Sequence, residues 1–441
     1  MCACNDAGTR LRRSRRGRFD HGGPVSAPRS DGQPMVPTIL IVGAGQAGGR
    51  AAEALRATGF AGRIVLAGDE RVLPYERPPL SKDVLLASND ADCFAGWLQP
   101  ESFYVDSRIE RRDDGVERLD VVNRIAEFRN GPPIRFDQCL LATGGRARSL
   151  PGLPGGPHMH SLRTLADAMR LRERLARSKS VAVIGGGFLG LEFAASARSR
   201  GLDVTIYETA PRLLGRAVPA AFADRLRAKH ESHGVRFVFN ADALRVAPNE
   251  HDVQMAVDGG TAHFDFCVVA IGQTPNDDLA RASGIATGNG ILVDEYCRTS
   301  VPGVYAAGDC ANFPFGATGQ RLRLESWQNA QEQAIVAARN MAGDRTAYRP
   351  TPWFWTDQYD WNIQMLGMPD HSIAHWIERP SPDGKTLLIG LREGVIAYAL
   401  AVNQGGELRA LRRLVERGIS VDPAALADPA IKLRQLDQRA A

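Results

Sequence analysis

At 441 residues the chain is longer than one hydrophobic core serves, so two or three domains are expected and a single small module is excluded. Its 44% hydrophobic and 24% charged residues exclude a disordered, collagen-like or fibrous protein. The formal charge of +4 resides in residues 1–36, where seven arginines face only Asp6, Asp20 and Asp31; the remainder balances at 47 basic and 47 acidic residues, so no nucleic-acid or membrane partner is implied.

Residues 1–36 are rich in Arg, Gly, Pro and Ser without apolar periodicity and read as a disordered basic tail. A functional basic arm is the sharper alternative, and because Met35 directly precedes the first strand an overcalled upstream start also fits that segment. The RRSRRGR run is not followed by the apolar stretch an export signal needs, and no uncharged apolar run is long enough to span a bilayer. A cytoplasmic address is expected.

From Pro37 the order is apolar strand, glycine turn, Ala-rich helix and second apolar strand, TILIVGAGQAGGRAAEALRATGFAGRIVLAGDE, which is one βαβ unit. Gly43, Gly45 and Gly48 form GxGxxG, in which glycines allow a tight turn, approach of the backbone to a pyrophosphate and close helix packing. Asp69 and Glu70 end the next strand, where a carboxylate can bind ribose hydroxyls. The residues between the glycines, Gln46 and Ala47, are assigned to the same nucleotide.

The grammar returns from Lys179 as KSVAVIGGGFLGLEFAASARSRGLDVTIYETA, with Gly185, Gly187 and Gly190 in the glycine positions and Leu189 between them. Glu208 ends its second strand. That carboxylate favours a free ribose hydroxyl and would repel a 2′-phosphate, so NADH is expected over NADPH. Arg212 and Arg216 follow, and either a phosphate contact by Arg216 or a solvated surface role fits the sequence. After Phe264 come the short strands FDFCVVAIG, GILVDE and GVYAAGD, which read as returning to the earlier sheet. Beyond about residue 345, PWFWTDQYDW, TLLIGLREGVIAYALAVN and the helix ELRALRRLVERG read as a smaller α+β domain.

The seven cysteines show no CxxC after residue 4, so a dithiol centre or an iron–sulfur cluster within this chain is not expected. No metal site is expected from the nine histidines. Two dinucleotide sites in one chain instead imply internal electron transfer, in which a nicotinamide hands hydride to a second redox group, most economically a flavin.

YERPPLSK, LATGGRAR, VYAAGDCA, RLESWQNAQEQA and PWFWTDQYD closely resemble the FAD-dependent ferredoxin reductases that serve bacterial oxygenases, and the resemblance runs from about Thr38 to the terminal DPAIKLRQL. Within that family, GRAVPAAFADRLRAKH and ESWQNA look most like the reductase components of ring-hydroxylating dioxygenases. The resemblance implies a glutathione-reductase-like α/β fold. Its FAD-binding domain is discontinuous (37–150 and 265–345), an NAD-binding domain (151–264) is inserted, and a C-terminal interface domain (346–441) closes the chain. It also implies that Lys82 lies beside the flavin with Pro79 shaping the pocket floor, that Asp309 contacts the ribityl or phosphate portion, and that Arg148 pairs with the pyrophosphate. Trp327 would lie against the isoalloxazine ring, Glu192 near the nicotinamide carboxamide, and Gly272 at the nicotinamide half. Ala147 departs from the proline many relatives place there. The implied activity is NADH-dependent reduction of a [2Fe–2S] ferredoxin that feeds a terminal oxygenase. The rivals are a reductase for the ferredoxin or rubredoxin of a haem monooxygenase or alkane hydroxylase, an NADH oxidase or quinone reductase, and a non-catalytic nicotinamide sensor.

Overall fold

The computed structural model describes residues 36–89, 96–150, 155–215, 217–316, 319–369, 372–382 and 384–439. The tail expectation lies outside the described residues, as do Cys2, Cys4, Cys93 and Arg216.

The strand Thr38–Val42 is buried at every residue, as its unbroken apolar run requires when helices cover both faces of a parallel sheet. It lies at the centre of a five-stranded parallel sheet in the order Val304–Ala306, Gln138–Leu141, Thr38–Val42, Arg63–Ala67, Ile109–Arg112. A second five-stranded parallel sheet repeats the pattern as Val235–Val238, Asp203–Tyr207, Ser180–Ile184, Phe266–Val269, Met159–His160. In both, the strand before the glycine turn has its partner strands departing to opposite sides, and the crevice beyond such a reversal is where doubly wound sheets receive ligands.

The strand Phe266–Val269 corrects the expected boundary at residue 264. It pairs in parallel with Ser180–Ile184 and so belongs to the second sheet; the return to the first sheet is made by Val304–Ala306. Cys267 and Val268 are 0% and 1% exposed, a burial that a covered strand of either parallel sheet would provide, so the pairing at a distance decides the place. The two crossings between the sheets run together, Gly145–Ala147 pairing antiparallel with Gln273–Pro275.

The first glycine of each turn has positive φ, +112° at Gly43 and +107° at Gly185, and the third allows the helix to rest on it. A Cβ on Gly48 would sit 1.8 Å from the Gly43 carbonyl oxygen, and one on Gly190 would sit 2.1 Å from that of Gly185. These contacts seat the helices Gln46–Ala57 and Phe188–Ser199 with their N-termini at the crevices.

The C-terminal segment forms a five-stranded antiparallel sheet in the order Trp353–Gln358, Trp361–Gly367, Val395–Val402, Thr386–Arg392, His375–Arg379. The helix Gly405–Arg417 buries Leu408, Leu411 and Leu414 at three-residue spacing, and Gly418 ends it in the left-handed conformation.

His230 of the helix Ala220–Ser232 is wholly buried, and burial lowers its pKa from 6.5 to about 4. Its folded value lies below the unfolded one, so between these two values the unfolded chain binds more protons and stability falls as the pH is lowered. Urea midpoints measured through this window are expected to fall toward acid, with a shallower slope in His230→Leu. His160, also lowered to about 4 by burial, retains its share. Equal slopes in parent and variant would exclude His230 as a source of the acid sensitivity.

Candidate active site

One continuous cavity of about 870 Å³ touches both glycine turns. Gly43, Gly45, Gln46 and Ala47 line it from the first unit, Gly187, Leu189, Glu192 and Gly272 from the second, and Lys82, Asp309 and Trp327 lie between. Most of the residues singled out from the sequence are therefore neighbours in space, although they span residues 43 to 327.

The second glycine of each turn faces open space. At Gly45 the nearest atom to a would-be Cβ is the Arg77 guanidinium, 3.5 Å away, and at Gly187 nothing lies within 4 Å. Gln46, 8% exposed on the first wall, has both side-chain amide atoms buried without a protein partner; Gln273 Oε1 and Trp327 Nε1 are likewise buried and unpartnered. Buried polar atoms seldom remain unpaired in a folded protein. A dinucleotide with its phosphates at the glycine turn and its polar ring edges against these groups fits the first half of the cavity.

Asp309 presents a carboxylate held on one oxygen, Oδ2, by Arg163 Nη2 at 2.8 Å and Gln273 Nε2 at 3.0 Å. Oδ1 accepts no hydrogen bond among the described residues and remains able to receive a ligand hydroxyl. Arg163 also donates to the Gly145 carbonyl at 2.9 Å, and Arg77 donates to the Arg163 carbonyl at 2.5 Å and to Glu70 at 2.6 Å. Tyr75 closes this group with a 2.5 Å bond to Glu70, and burial raises its phenol pKa. Glu70 is thus committed to Tyr75 and Arg77, whereas Asp69 is exposed on the cavity rim with no hydrogen bond to it among the described residues.

At the meeting point of the two halves, Lys82 Nζ lies 3.0 Å from Glu192 Oε2 and donates to the Pro78 carbonyl at 3.1 Å. Glu192 is only 8% exposed and accepts further bonds from Ser81 at 2.5 Å and Thr356 at 2.6 Å. On the far wall, Trp327 begins the helix Trp327–Met341 and meets Trp355 edge to face with centroids 5.6 Å apart; Phe354 packs on Phe188 at 4.6 Å. In the second unit Glu208 accepts from the Gly186 N–H at 2.7 Å and the Ala210 N–H at 2.8 Å, which fixes its carboxylate beside the turn, just outside the cavity lining.

Several expected residues stand elsewhere. Arg148 is exposed, bonds the Gln273 carbonyl at 3.1 Å and is absent from the cavity lining, where Arg71, Arg77, Arg146 and Arg163 supply guanidinium charge. Pro79 is also outside the lining, which Pro78 and Leu80 form in its place. Gly48, Gly185 and Gly190 lie behind the turns as packing residues. Of the positions that sequence reasoning missed, Arg77 was contained in the YERPPLSK motif. Thr356 was likewise contained in PWFWTDQYD and Gln273 adjoins Gly272, whereas Arg163 carried no local signal. No cysteine of the described residues lines the cavity, and Cys139, Cys267, Cys297 and Cys310 are buried with their thiol pKa values raised by desolvation.

Residues 37–334 match the family described as pyridine nucleotide-disulphide oxidoreductase, and residues 353–437 match the reductase C-terminal family. The chain is 41% identical over 406 residues to the anthranilate 1,2-dioxygenase system ferredoxin–NAD(+) reductase component of Burkholderia cepacia, covering 90% of this chain and 98% of that protein. It is also similar to the ferredoxin reductase for the CYP199A2 system from Rhodopseudomonas palustris (TM-score 0.84, 35% identity, 92% of this chain and 100% of that one). A third likeness is to the reductase chain of the covalent putidaredoxin reductase–putidaredoxin complex (TM-score 0.85, 31% identity, 92% and 99%).

The glycine geometry separates packing from ligand contact. Gly190→Ala, whose methyl meets a backbone oxygen, is expected to lower stability by about 1–3 kcal/mol. Gly187→Ala places its methyl in open cavity and should leave the urea midpoint near that of the parent while weakening NADH binding measured by fluorescence titration. Parent-like NADH affinity in Gly187→Ala would show that the turn does not carry the phosphates.

Proposed function

The chain belongs to the pyridine nucleotide-disulphide oxidoreductase family, and from that premise we propose that it is an NADH-dependent ferredoxin reductase of an aromatic-ring dioxygenase system, using FAD and passing single electrons to a [2Fe–2S] ferredoxin. The observation that carries this reading is one cavity lined by two dinucleotide turns, with the Lys82–Glu192 pair where they meet and no described cysteine on its walls. Bound there, a flavin would accept two electrons as hydride and release them one at a time, which nicotinamide alone does not do.

The residues divide the work. The Gly43–Ala47 turn and the N-terminus of the helix Gln46–Ala57 bind FAD phosphates through backbone N–H groups, with Arg77 and Arg163 adding positive charge. Asp309, held by Arg163 and Gln273, receives ribityl or phosphate-side hydroxyls, and Asp69 takes the ribose end. The ammonium of Lys82 favours negative charge as it develops in the cavity. Trp327 and its aromatic neighbours exclude water from the far wall. On the second half, Gly187, Leu189 and Gly272 receive the nicotinamide nucleotide, Glu208 its ribose, and Glu192 its carboxamide end. Arg148 and Pro79 are assigned supporting roles outside the lining, and Arg216 stays with the NADH phosphate proposal. A cytoplasmic address belongs to the same reading; no helix among the described residues is long and apolar enough to cross a membrane.

A second partner class is favoured by one specific observation, the likeness to a reductase of a CYP199A2 system. Ferredoxins of the dioxygenase and haem-monooxygenase classes are therefore the acceptors to compare.

Anaerobic mixing of the FAD-loaded protein with NADH should bleach the flavin, and a [2Fe–2S] ferredoxin added next should become reduced. Bleaching without transfer to any ferredoxin would move the assignment to an oxidase or quinone reductase, and absence of bleaching would reject it. Glu208→Ala combined with Thr209→Arg is expected to shift the NADPH-to-NADH ratio of kcat/KM upward by about tenfold or more, tenfold corresponding to roughly 1.4 kcal/mol. An unchanged ratio would rule out Glu208 as the ribose-reading carboxylate.

A further inference from the structure

We propose that Thr356, Gln358 and His230 form a buried positioning relay for the transfer site, fixing the Glu192 carboxylate and, through it, the Lys82 ammonium. The proposal rests on the flavin and NADH reading above and extends it to residues outside the cavity wall.

The hydrogen-bond directions follow from one charge. Glu192 is paired with Lys82 at 3.0 Å, and an ionised carboxylate only accepts, so the Thr356 hydroxyl at 2.6 Å must donate to Oε1. With its proton committed, Thr356 Oγ1 accepts from Gln358 Nε2 at 3.1 Å, which turns the amide oxygen away from the site. That oxygen lies 2.7 Å from His230 Nε2, which must therefore carry the ring proton, leaving Nδ1 to accept from the Tyr359 hydroxyl at 3.4 Å. Burial keeps the imidazole neutral, as this arrangement of one donor and one acceptor requires.

Every donor in the series points toward one carboxylate, so each bond polarises the next. Thr356, Gln358 and His230 are all 0% exposed, and no water can substitute for a missing member without opening the core. Thr356 and Gln358 are two apart on the strand Trp353–Gln358 and so project to the same side of the sheet. The relay thus joins the C-terminal sheet, the helix Ala220–Ser232, the helix Phe188–Ser199 and the Pro78–Ser81 turn. The charged and titratable groups around its two ends are few. Lys82 faces Glu192; His233, Tyr359 and Lys229 face His230, with Lys229 itself bonded to Asp360 at 2.6 Å.

Without Thr356, Oε1 becomes a buried acceptor with no donor, and the carboxylate turns its charge more fully onto Lys82. The cavity then loses positive potential. In the FAD-loaded full chain, Thr356→Val is expected to move the flavin midpoint potential in the negative direction and to slow bleaching at saturating NADH by about tenfold or more. The NADH concentration at half-maximal rate should rise, because Glu192 also receives the carboxamide end. Thr356→Ser, which keeps the donor, should restore all three quantities, and Gln358→Met should shift them in the same direction by less. A purely structural role would lower the urea midpoint and leave the potential and visible spectrum unmoved.

Thr356→Val with the parent's potential, spectrum and bleaching rate overturns the relay; should that variant fail to fold, Gln358→Met is judged by the same readouts. If NADH fails to bleach the parent, the functional reading falls, while the relay is still decided by potentials measured with dithionite as reductant.

Discussion

A carboxylate removed from water must be compensated by charge and hydrogen bonds, and Glu192 places that demand where the parts of this protein converge. Its partners come from the turn that follows the first nucleotide unit and from the edge strand of the C-terminal sheet, while its own helix belongs to the second unit. None of those segments can shift alone without taking a partner from a buried carboxylate. The cavity is consequently framed by a constraint that acts on three regions at once. It lies between two crevices built by separate sheets.

The duplication of the nucleotide unit supplies the rest of the frame. Each copy uses a positive-φ glycine to turn the chain, a third glycine to seat the helix, and a middle glycine to leave room for a ligand. Each also inserts a three-stranded antiparallel meander between its third and fourth parallel strands, Val116–Arg135 in one and Arg245–Phe264 in the other. The copies diverge at the acidic strand end. Glu70 is absorbed by Tyr75 and Arg77, while Glu208 is held beside the turn by two backbone N–H groups.

Local sequence made the framework legible because glycine turns, unbroken apolar strands and their spacing are consequences of chain geometry within some thirty residues. It failed where pairing over distance decides the outcome. The apolar run Phe266–Val269 has the same pattern whichever parallel sheet receives it, so its place beside Ser180–Ile184 was not readable. Arg148 stood in a recognisable motif yet is absent from the cavity lining, whereas Arg163, in the unremarkable stretch SLRTLADA, reaches Asp309 across 146 positions. Glu192 was expected at the site from the family resemblance alone. Its burial is explained by partners distant in sequence, Ser81 and Lys82 on one side and Thr356, 164 residues later, on the other.

The paired crossings Gly145–Ala147 and Gln273–Pro275 carry a further consequence. Because the chain enters and leaves the second nucleotide unit through hydrogen-bonded neighbours, the intervening residues form a topologically closed excursion whose ends meet. Such a segment can be gained, lost or exchanged during evolution without rethreading the sheet it interrupts. Gly187, Leu189 and Glu192 thereby line the cavity from an excursion that is tied to the first unit at this two-stranded clasp and again at Ser81, Leu85 and Ala87.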